Sequence, residues 1–270
     1  MATPPSKAYE NLPFLRSRDA RILRILSEYL EPQSRLQRRR IRSAIVFFGA
    51  SSTLDREQAR ERYGAIAAGQ VSGATDQEIL RARHQLRLAE YYEDARVLAR
   101  RVTEWARESG ADGELVVCSG GGPGMMEAAN RGAAEAGGQS VGLTISLPNE
   151  PLPNRFVSPG LAMEFRYFFM RKFWFMYLAR ALVAFPGGYG TMDELFEVLT
   201  LLQTRKVQRP VTVIVFGREY WDEVVNFDKL YEWGTISEQD RKLIHLVNDV
   251  DEAFAILTSA ITSPKAGKRG

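Results

Sequence analysis

The stretch Ala181-Leu182-Val183-Ala184-Phe185-Pro186-Gly187-Gly188-Tyr189-Gly190-Thr191-Met192-Asp193-Glu194 decides how this chain is read. Five apolar residues in a row suit a strand buried on both faces, the kind from which parallel sheets are built. A glycine loop follows, and a helix is predicted over 191–204. Such a loop lets backbone N–H groups approach a ligand closely, at the positive end of a helix dipole, which is an arrangement for binding phosphate. Thr191 can cap the helix and offer its hydroxyl to the same anion. Asp193 and Glu194 fall in the predicted first turn, where the dipole stabilises carboxylates without any ligand. Glu197 lies one turn beyond Asp193, so the helix opens with more acid than capping requires. A carboxylate beside a phosphate loop suits work on a developing cation or a water.

The same strand-then-helix pattern runs on both sides of this stretch. Ala44-Ile45-Val46-Phe47-Phe48 is another continuous apolar run, closed by Gly49-Ala50-Ser51-Ser52. Leu115-Val116-Val117-Cys118 leads at once into Ser119-Gly120-Gly121-Gly122-Pro123-Gly124, and a helix follows over 125–136, ended by Gly137-Gly138. Further strands are expected over 140–145, 161–165 and 211–216, with helices over 168–179 and 251–262. Two more helices fit between Asp55 and Glu108, joined near Gly69–Gly73. Strands alternating with helices imply a parallel sheet with helices on both faces. Residues from about 9 to 40 read as a helical extension, with Leu23, Leu26 and Leu30 at helical spacing and Pro32 marking a break. The expected organisation is an extension over 1–41, one α/β domain over 42–264 and a basic tail over 265–270.

Composition narrows the function classes. The chain has 270 residues, 45% hydrophobic and 26% charged, as expected of a soluble globular protein. The single cysteine, Cys118, cannot form an internal disulfide, which agrees with a reducing cytoplasm. With only His84 and His245 beside it, a zinc site would lean on carboxylates. The first residues lack the apolar core and cleavage site of a secretory signal. The most apolar segment, Phe165 to Phe185, is interrupted by Arg166, Arg171, Lys172 and Arg180, so no membrane span is expected. The net charge of +3 owes much to the run Arg35–Arg42 and the tail Lys265–Arg269. A solvated helix face and a frayed tail account for these runs, and no nucleic-acid partner is expected.

Two other segments carry candidate chemistry. The turn Ser119–Gly124 is either an anion cradle or the tight strand-to-helix turn that any α/β fold needs. Its spacing is not the dinucleotide fingerprint, and it lacks the Gly-Lys-Ser/Thr ending of a P-loop. In Phe165-Arg166-Tyr167-Phe168-Phe169-Met170-Arg171-Lys172, the planar fork of Arg171 can grip a phosphate or carboxylate. Lys172 reads as a surface residue, and Phe173, Trp174, Phe175 and Tyr177 read as packing. Ser51 and Ser52 either contact phosphate or ribose, or close a turn. His84 lies in a charged, exposed helix, and Cys118 is a small core residue.

These motifs together resemble the LOG (Lonely Guy) family, long mislabelled as lysine decarboxylases, which includes cytokinin riboside 5′-monophosphate phosphoribohydrolases. The family signature Pro-Gly-Gly-x-Gly-Thr-x-x-Glu fits Pro186–Glu194 at every fixed position, Arg171-Lys172 matches an Arg-Lys pair on the preceding helix, and Gly120–Gly124 with Met126 matches a glycine turn after an earlier strand. The resemblance covers roughly residues 42 to 260. The histidine usual before the Arg-Lys pair is absent, since Phe168-Phe169-Met170 stands there. The segment Gly122–Asn130 differs from the plant enzymes and looks like a bacterial long-form branch.

The resemblance implies an α/β fold, a Rossmann-like doubly wound parallel sheet with helices on both faces. It implies hydrolysis of the N-glycosidic bond of a purine nucleoside 5′-monophosphate, with or without an N6 substituent, to free base and ribose 5-phosphate. Glu194 and Arg171 match the catalytic pair. Gly187, Gly188, Gly190, Thr191, Gly121 and Gly122 would bind the 5′-phosphate, with Ser51, Lys172 and Asp193 as further candidate contacts. No metal or organic cofactor is implied, and the family's dimers or larger assemblies make a homo-oligomer the expectation, with the aromatic helix over 168–177 as a candidate contact. The alternative is a non-catalytic carrier of a nucleotide or molybdenum-cofactor-like phosphate ligand, since carriers share the fold. Lysine decarboxylation would need a lysine in Schiff base with pyridoxal phosphate, and nothing around Lys172 suggests one.

Overall fold

The computed structural model describes residues 7–71, 73–146 and 152–262. After a short 3-10 turn, the elements in chain order are α1 Leu12–Arg16, α2 Arg21–Arg38, β1 Ser43–Phe48, α3 Arg56–Ala67, α4 Asp76–Glu108, β2 Leu115–Ser119, α5 Met125–Glu135, β3 Ser140–Ile145, β4 Ala162–Phe165 and α6 Phe168–Leu178. There follow β5 Ala179–Ala184, α7 Tyr189–Gln203, β6 Thr212–Phe216, α8 Arg218–Val224, α9 Phe227–Glu232, α10 Glu238–Arg241, β7 Ile244–Val247 and α11 Val250–Thr262. The basic tail expected over 265–270, Met1 to Pro5 and part of the loop after β3 lie outside the described residues.

All seven strands join one parallel sheet in the order β4-β3-β2-β1-β5-β6-β7. The chain winds one way from β1 to β4, then returns to the other side of β1 with β5. That reversal makes the sheet doubly wound, and its switch point lies between β1 and β5. In open α/β sheets, ligands bind in the crevice beyond the carboxyl ends of the strands at this place. The central strands are buried almost throughout because both faces are covered. One apolar layer holds Leu36, Trp174, Phe175, Leu195 and Trp221 from α2, α6, α7 and α8. The other holds Tyr92, Leu98, Val102, Ala129 and Leu257 from α4, α5 and α11.

Local chemistry sets the element boundaries. Thr75 and Glu78 form a reciprocal capping box at the start of α4. The helix α5 stops where Gly137 takes a φ of 68°, a left-handed conformation that glycine adopts without penalty. Pro32 does not break α2, contrary to expectation, but sits inside it. A proline leaves the carbonyl four residues back without its helical partner. Here that carbonyl belongs to Glu28, and the indole N–H of Trp174 donates to it at 2.9 Å. The Glu28 carboxylate also accepts from the N–H groups of Arg166 and Tyr167. The break is thus satisfied by the helix that α2 packs on.

The arginine run has ordinary work in this packing. Arg35 donates to the carbonyls of Gly160 and Ala162, Arg39 to that of Pro159, and Arg42 pairs with Glu114. Among the described residues, no helix is long and apolar enough to cross a membrane. The segment between β6 and α11 adds what the sequence pattern did not suggest, three short helices and β7. With four residues and His245 among them, β7 is too short to show a pattern.

Candidate active site

Three loops meet at the switch point and are tied into one block. The Ala50 N–H after β1 donates to the carbonyl of Pro186 after β5, at 3.0 Å. The Ala50 carbonyl in turn accepts from Met125 N–H at the start of α5, also at 3.0 Å. Gly124 makes that approach feasible. Its φ is 68° with ψ −130°, and a Cβ there would lie 2.5 Å from the Ala50 carbonyl oxygen. Gly187 serves the β5 side in the same way, since a Cβ would lie 2.2 Å from Thr191 Oγ and 3.0 Å from Ala50 N. The Tyr220 hydroxyl braces this loop from α8, donating to the Gly187 carbonyl at 2.7 Å.

The helix after the loop starts earlier than the sequence suggests. Gly188 is its N-cap and Tyr189 its first residue, so Thr191 is the third helical residue rather than the cap. Asp193 and Glu194 therefore lie in the second turn, where the dipole stabilises carboxylates little. They are not helix-start acids. No side chain caps the helix, so its first N–H groups face the crevice. A Cβ on Gly188 or Gly190 would meet nothing within 4 Å, which leaves open space where a ligand could approach the backbone.

Glu194 meets Arg171 from α6. Arg171 Nη2 lies 3.2 Å from Glu194 Oε1, and their side chains are only 15% and 7% exposed. Burial, the largest influence, pushes the Glu194 carboxyl up to about 7, against the pull of Arg171 and Lys172. The Arg171 guanidinium lies over the rings of Phe168 and Phe175, with centroids at 5.0 and 5.7 Å, and its Nε is buried without a partner. A buried donor left over beside a cavity is free to donate to an acceptor that enters it. Lys172 turns to the other acids, lying 2.8 Å from both Asp193 and Glu197. Burial works against its charge, but these two acids outweigh it and raise its pKa.

A cavity of about 470 Å³ opens over these groups. Its polar wall comprises Ser51, Ser52, Gly188, Tyr189, Gly190, Thr191, Arg171 and Glu194. The apolar part of the lining comprises Phe48, Met126, Ile145, Phe168 and Phe175. Of the residues singled out from sequence, the structure brings Glu194, Arg171, Gly188, Gly190, Thr191 and Ser51 onto this cavity. Gly187, Lys172 and Asp193 lie behind or beside its wall, outside the lining. So do Gly121 and Gly122, where Gly120 is the lining glycine. The Gly121 N–H donates to Ser119 Oγ at 3.0 Å, and the Asn154 carboxamide donates to the carbonyls of both Gly121 and Gly122. Asn154 thus ties this turn to the loop after β3.

The sequence did not point to Tyr189, which is 94% exposed at the cavity mouth, or to the apolar wall. Phe48 and Ile145 end β1 and β3, so the topology alone carries them to the crevice. Of the aromatics expected to be packing, Trp174 and Phe175 are buried, whereas Phe173 and Tyr177 are exposed. Burial pushes the Cys118 thiol up, which leaves it no nucleophile.

A family model described as "Possible lysine decarboxylase" matches residues 126–257, which contain Arg171, the glycine loop and Glu194. A probable cytokinin riboside 5′-monophosphate phosphoribohydrolase of Oryza sativa subsp. japonica is 34% identical over 154 residues, 55% of this chain and 60% of the relative. A cytokinin riboside 5′-monophosphate phosphoribohydrolase of Arabidopsis thaliana is 30% identical over 133 residues, 48% of this chain and 60% of the relative. The chain thus spans about 60% of the length of these curated relatives. Among solved structures, the molybdenum-cofactor carrier protein of Chlamydomonas reinhardtii aligns with a TM-score of 0.45 at 18% identity, over 83% of this chain and 99% of that one.

Proposed function

We propose that the chain, which is similar to LOG-family phosphoribohydrolases over about half its length, is a nucleoside 5′-monophosphate phosphoribohydrolase. The observation that carries the reading is a buried carboxylate, Glu194, held against Arg171 beside an uncapped helix N-terminus. The helix end receives the 5′-phosphate through backbone N–H groups and its dipole. The carboxylate faces the ribose. As the C1′–N bond breaks, its electron pair leaves with the base and positive charge develops on C1′ and the ring oxygen. Glu194 stabilises that charge and takes a proton from the water that adds to C1′, giving ribose 5-phosphate, while the departing base takes up one proton from solvent. A carboxyl titrating near neutrality suits a group that must accept a proton in the cell's pH range. The apolar wall takes a purine face, and phosphate anchorage away from C1′ supplies binding energy for the chemical step.

The same reading includes self-association. Ile22, Leu23, Leu26 and Leu30 on α2, with Phe169, Phe173 and Tyr177 on the neighbouring α6, are exposed. Light scattering after size exclusion tests this, and a monomer at micromolar concentration would remove it.

The activity is tested by incubating the protein with AMP and with N6-isopentenyl-AMP and following free base by chromatography. Release by the wild type, and its loss in Glu194→Gln with nucleotide binding retained, is the expected result. If the wild type binds these nucleotides tightly and releases no base, the protein is a carrier and the hydrolase reading is wrong.

A further inference from the structure

Beside the cavity described above lies a second one of about 330 Å³, lined by Ser52, Arg62, Arg81, Ala82, His84 and Gln85. Ser52 lines both, so the two adjoin at the loop after β1. Arg62 comes from α3, whereas Arg81, His84 and Gln85 lie three and four residues apart on one face of α4.

Among the described residues, Arg62, Arg81 and His84 form no hydrogen bond or ion pair. Further along the same helix, Arg87, Arg96 and Arg101 are paired with Glu219, Glu135 and Asp251. Glu78 feels both cavity arginines, but its carboxylate is spent on the helix start, accepting from Thr75 N–H at 2.8 Å and from the Thr75 hydroxyl at 3.0 Å. The Gln85 Oε1 is buried without a partner. Turning that carboxamide over exchanges the idle acceptor for an N–H donor. Two guanidinium forks, an imidazole and an amide donor around one hollow suit the tetrahedral oxygens of a phosphoryl group.

We propose that this cavity is a second anion site, which takes a phosphoryl group while the main cavity holds its own ligand. A second phosphate on the same nucleotide and free inorganic phosphate share that chemistry. The inference concerns binding alone and stands whether or not the main cavity hydrolyses what it binds.

The test uses calorimetric titration of the full chain and of the double variant Arg62→Gln/Arg81→Gln, both carrying Glu194→Gln so that nucleotide is not consumed. The probes are AMP, adenosine 3′,5′-bisphosphate, and inorganic phosphate added over saturating AMP. AMP is expected to bind both proteins within about twofold. If the anion is free phosphate, it binds beside AMP and weakens at least tenfold in the double variant. If the anion belongs to the nucleotide, the bisphosphate binds at least tenfold tighter than AMP, and that gain vanishes in the double variant. The proposal is overturned if neither probe binds beyond AMP, if both proteins bind every probe alike, or if AMP weakens as much as the other probes. His84→Gln, which leaves both arginines in place, should lose about threefold for the anion. Thermal unfolding of each variant confirms that the exposed substitutions leave the fold intact.

Discussion

The turn after β2 and the loop after β5 flank β1 on opposite sides, and both pack glycines between a strand and a helix. They spend them differently. In the turn, Gly121 and Gly124 have positive φ, their added Cβ atoms would strike Thr144 and Ala50, and side-chain hydrogen bonds take the Gly121 N–H and the Gly121 and Gly122 carbonyls. In the loop, Gly187 is used for close packing in the same way, but Gly188 and Gly190 face open space beside an uncapped helix end. A glycine needed by the fold is one whose Cβ has nowhere to go. A glycine needed by a ligand is one whose Cβ has room, in the place the ligand would occupy.

Filling both kinds of position separates their roles. Gly124→Ala should cost roughly 4 kcal/mol of stability, combining a glycine-only backbone conformation with a backbone clash. Chemical denaturation measures it, and a loss below about 1 kcal/mol would show that the three-loop block is soft. Of similar size is the effect of Glu194→Gln on turnover, expected to be on the order of a thousandfold, or about 4 kcal/mol. Base release under single-turnover conditions reads it.

Gly190→Ala should do the opposite of Gly124→Ala. A Cβ fits there, so the fold should gain about 0.5 kcal/mol, while nucleotide affinity falls about tenfold as the approach to the backbone is blocked. Equal binding by this variant and the wild type would remove the anion from the helix end.

Titration adds a gentler probe. Glu194 binds its proton more tightly folded than unfolded, so its contribution to stability is fully present below about 4.5 and lost as pH rises through about 7. Glu194→Gln should therefore melt higher than the wild type at pH 8, by about 2–4 °C per kcal/mol gained, with the difference fading toward pH 4. Turnover, which needs the carboxylate, should rise through the same range. The smallest effect is expected from Tyr220→Phe, which removes the brace on Gly187 and should cost about 1 kcal/mol, with the unbraced loop binding AMP somewhat more weakly.

The sheet was legible in the sequence because buried parallel strands are unbroken apolar runs, as Ala44–Phe48 and Val211–Phe216 show. Pro32 misled, since whether a proline ends a helix depends on who satisfies the carbonyl behind it, and Trp174 lies 146 residues from Glu28. Gly190 misled in a smaller way, pushing the expected helix start past Tyr189 and making the acids look like caps. In the candidate site, the proposed phosphate half followed from local chemistry. The meeting of Arg171 and Glu194, 23 residues apart across a strand, came from the family resemblance, because spacing alone does not say which helices lie side by side. The apolar wall could not be read at all, since Phe48, Ile145 and Phe168 converge only through the strand order.

Lys172 has a consequence of a mechanical kind. It clasps Asp193 and Glu197, one turn apart on α7, from the residue next to Arg171. A slide of α6 past α7 by a single residue's rise, about 1.5 Å, would strain both of its pairs and the Arg171–Glu194 contact at once. The clasp works as a detent. Small drifts between the helices would stretch these pairs together, which favours the register that seats Arg171 on Glu194.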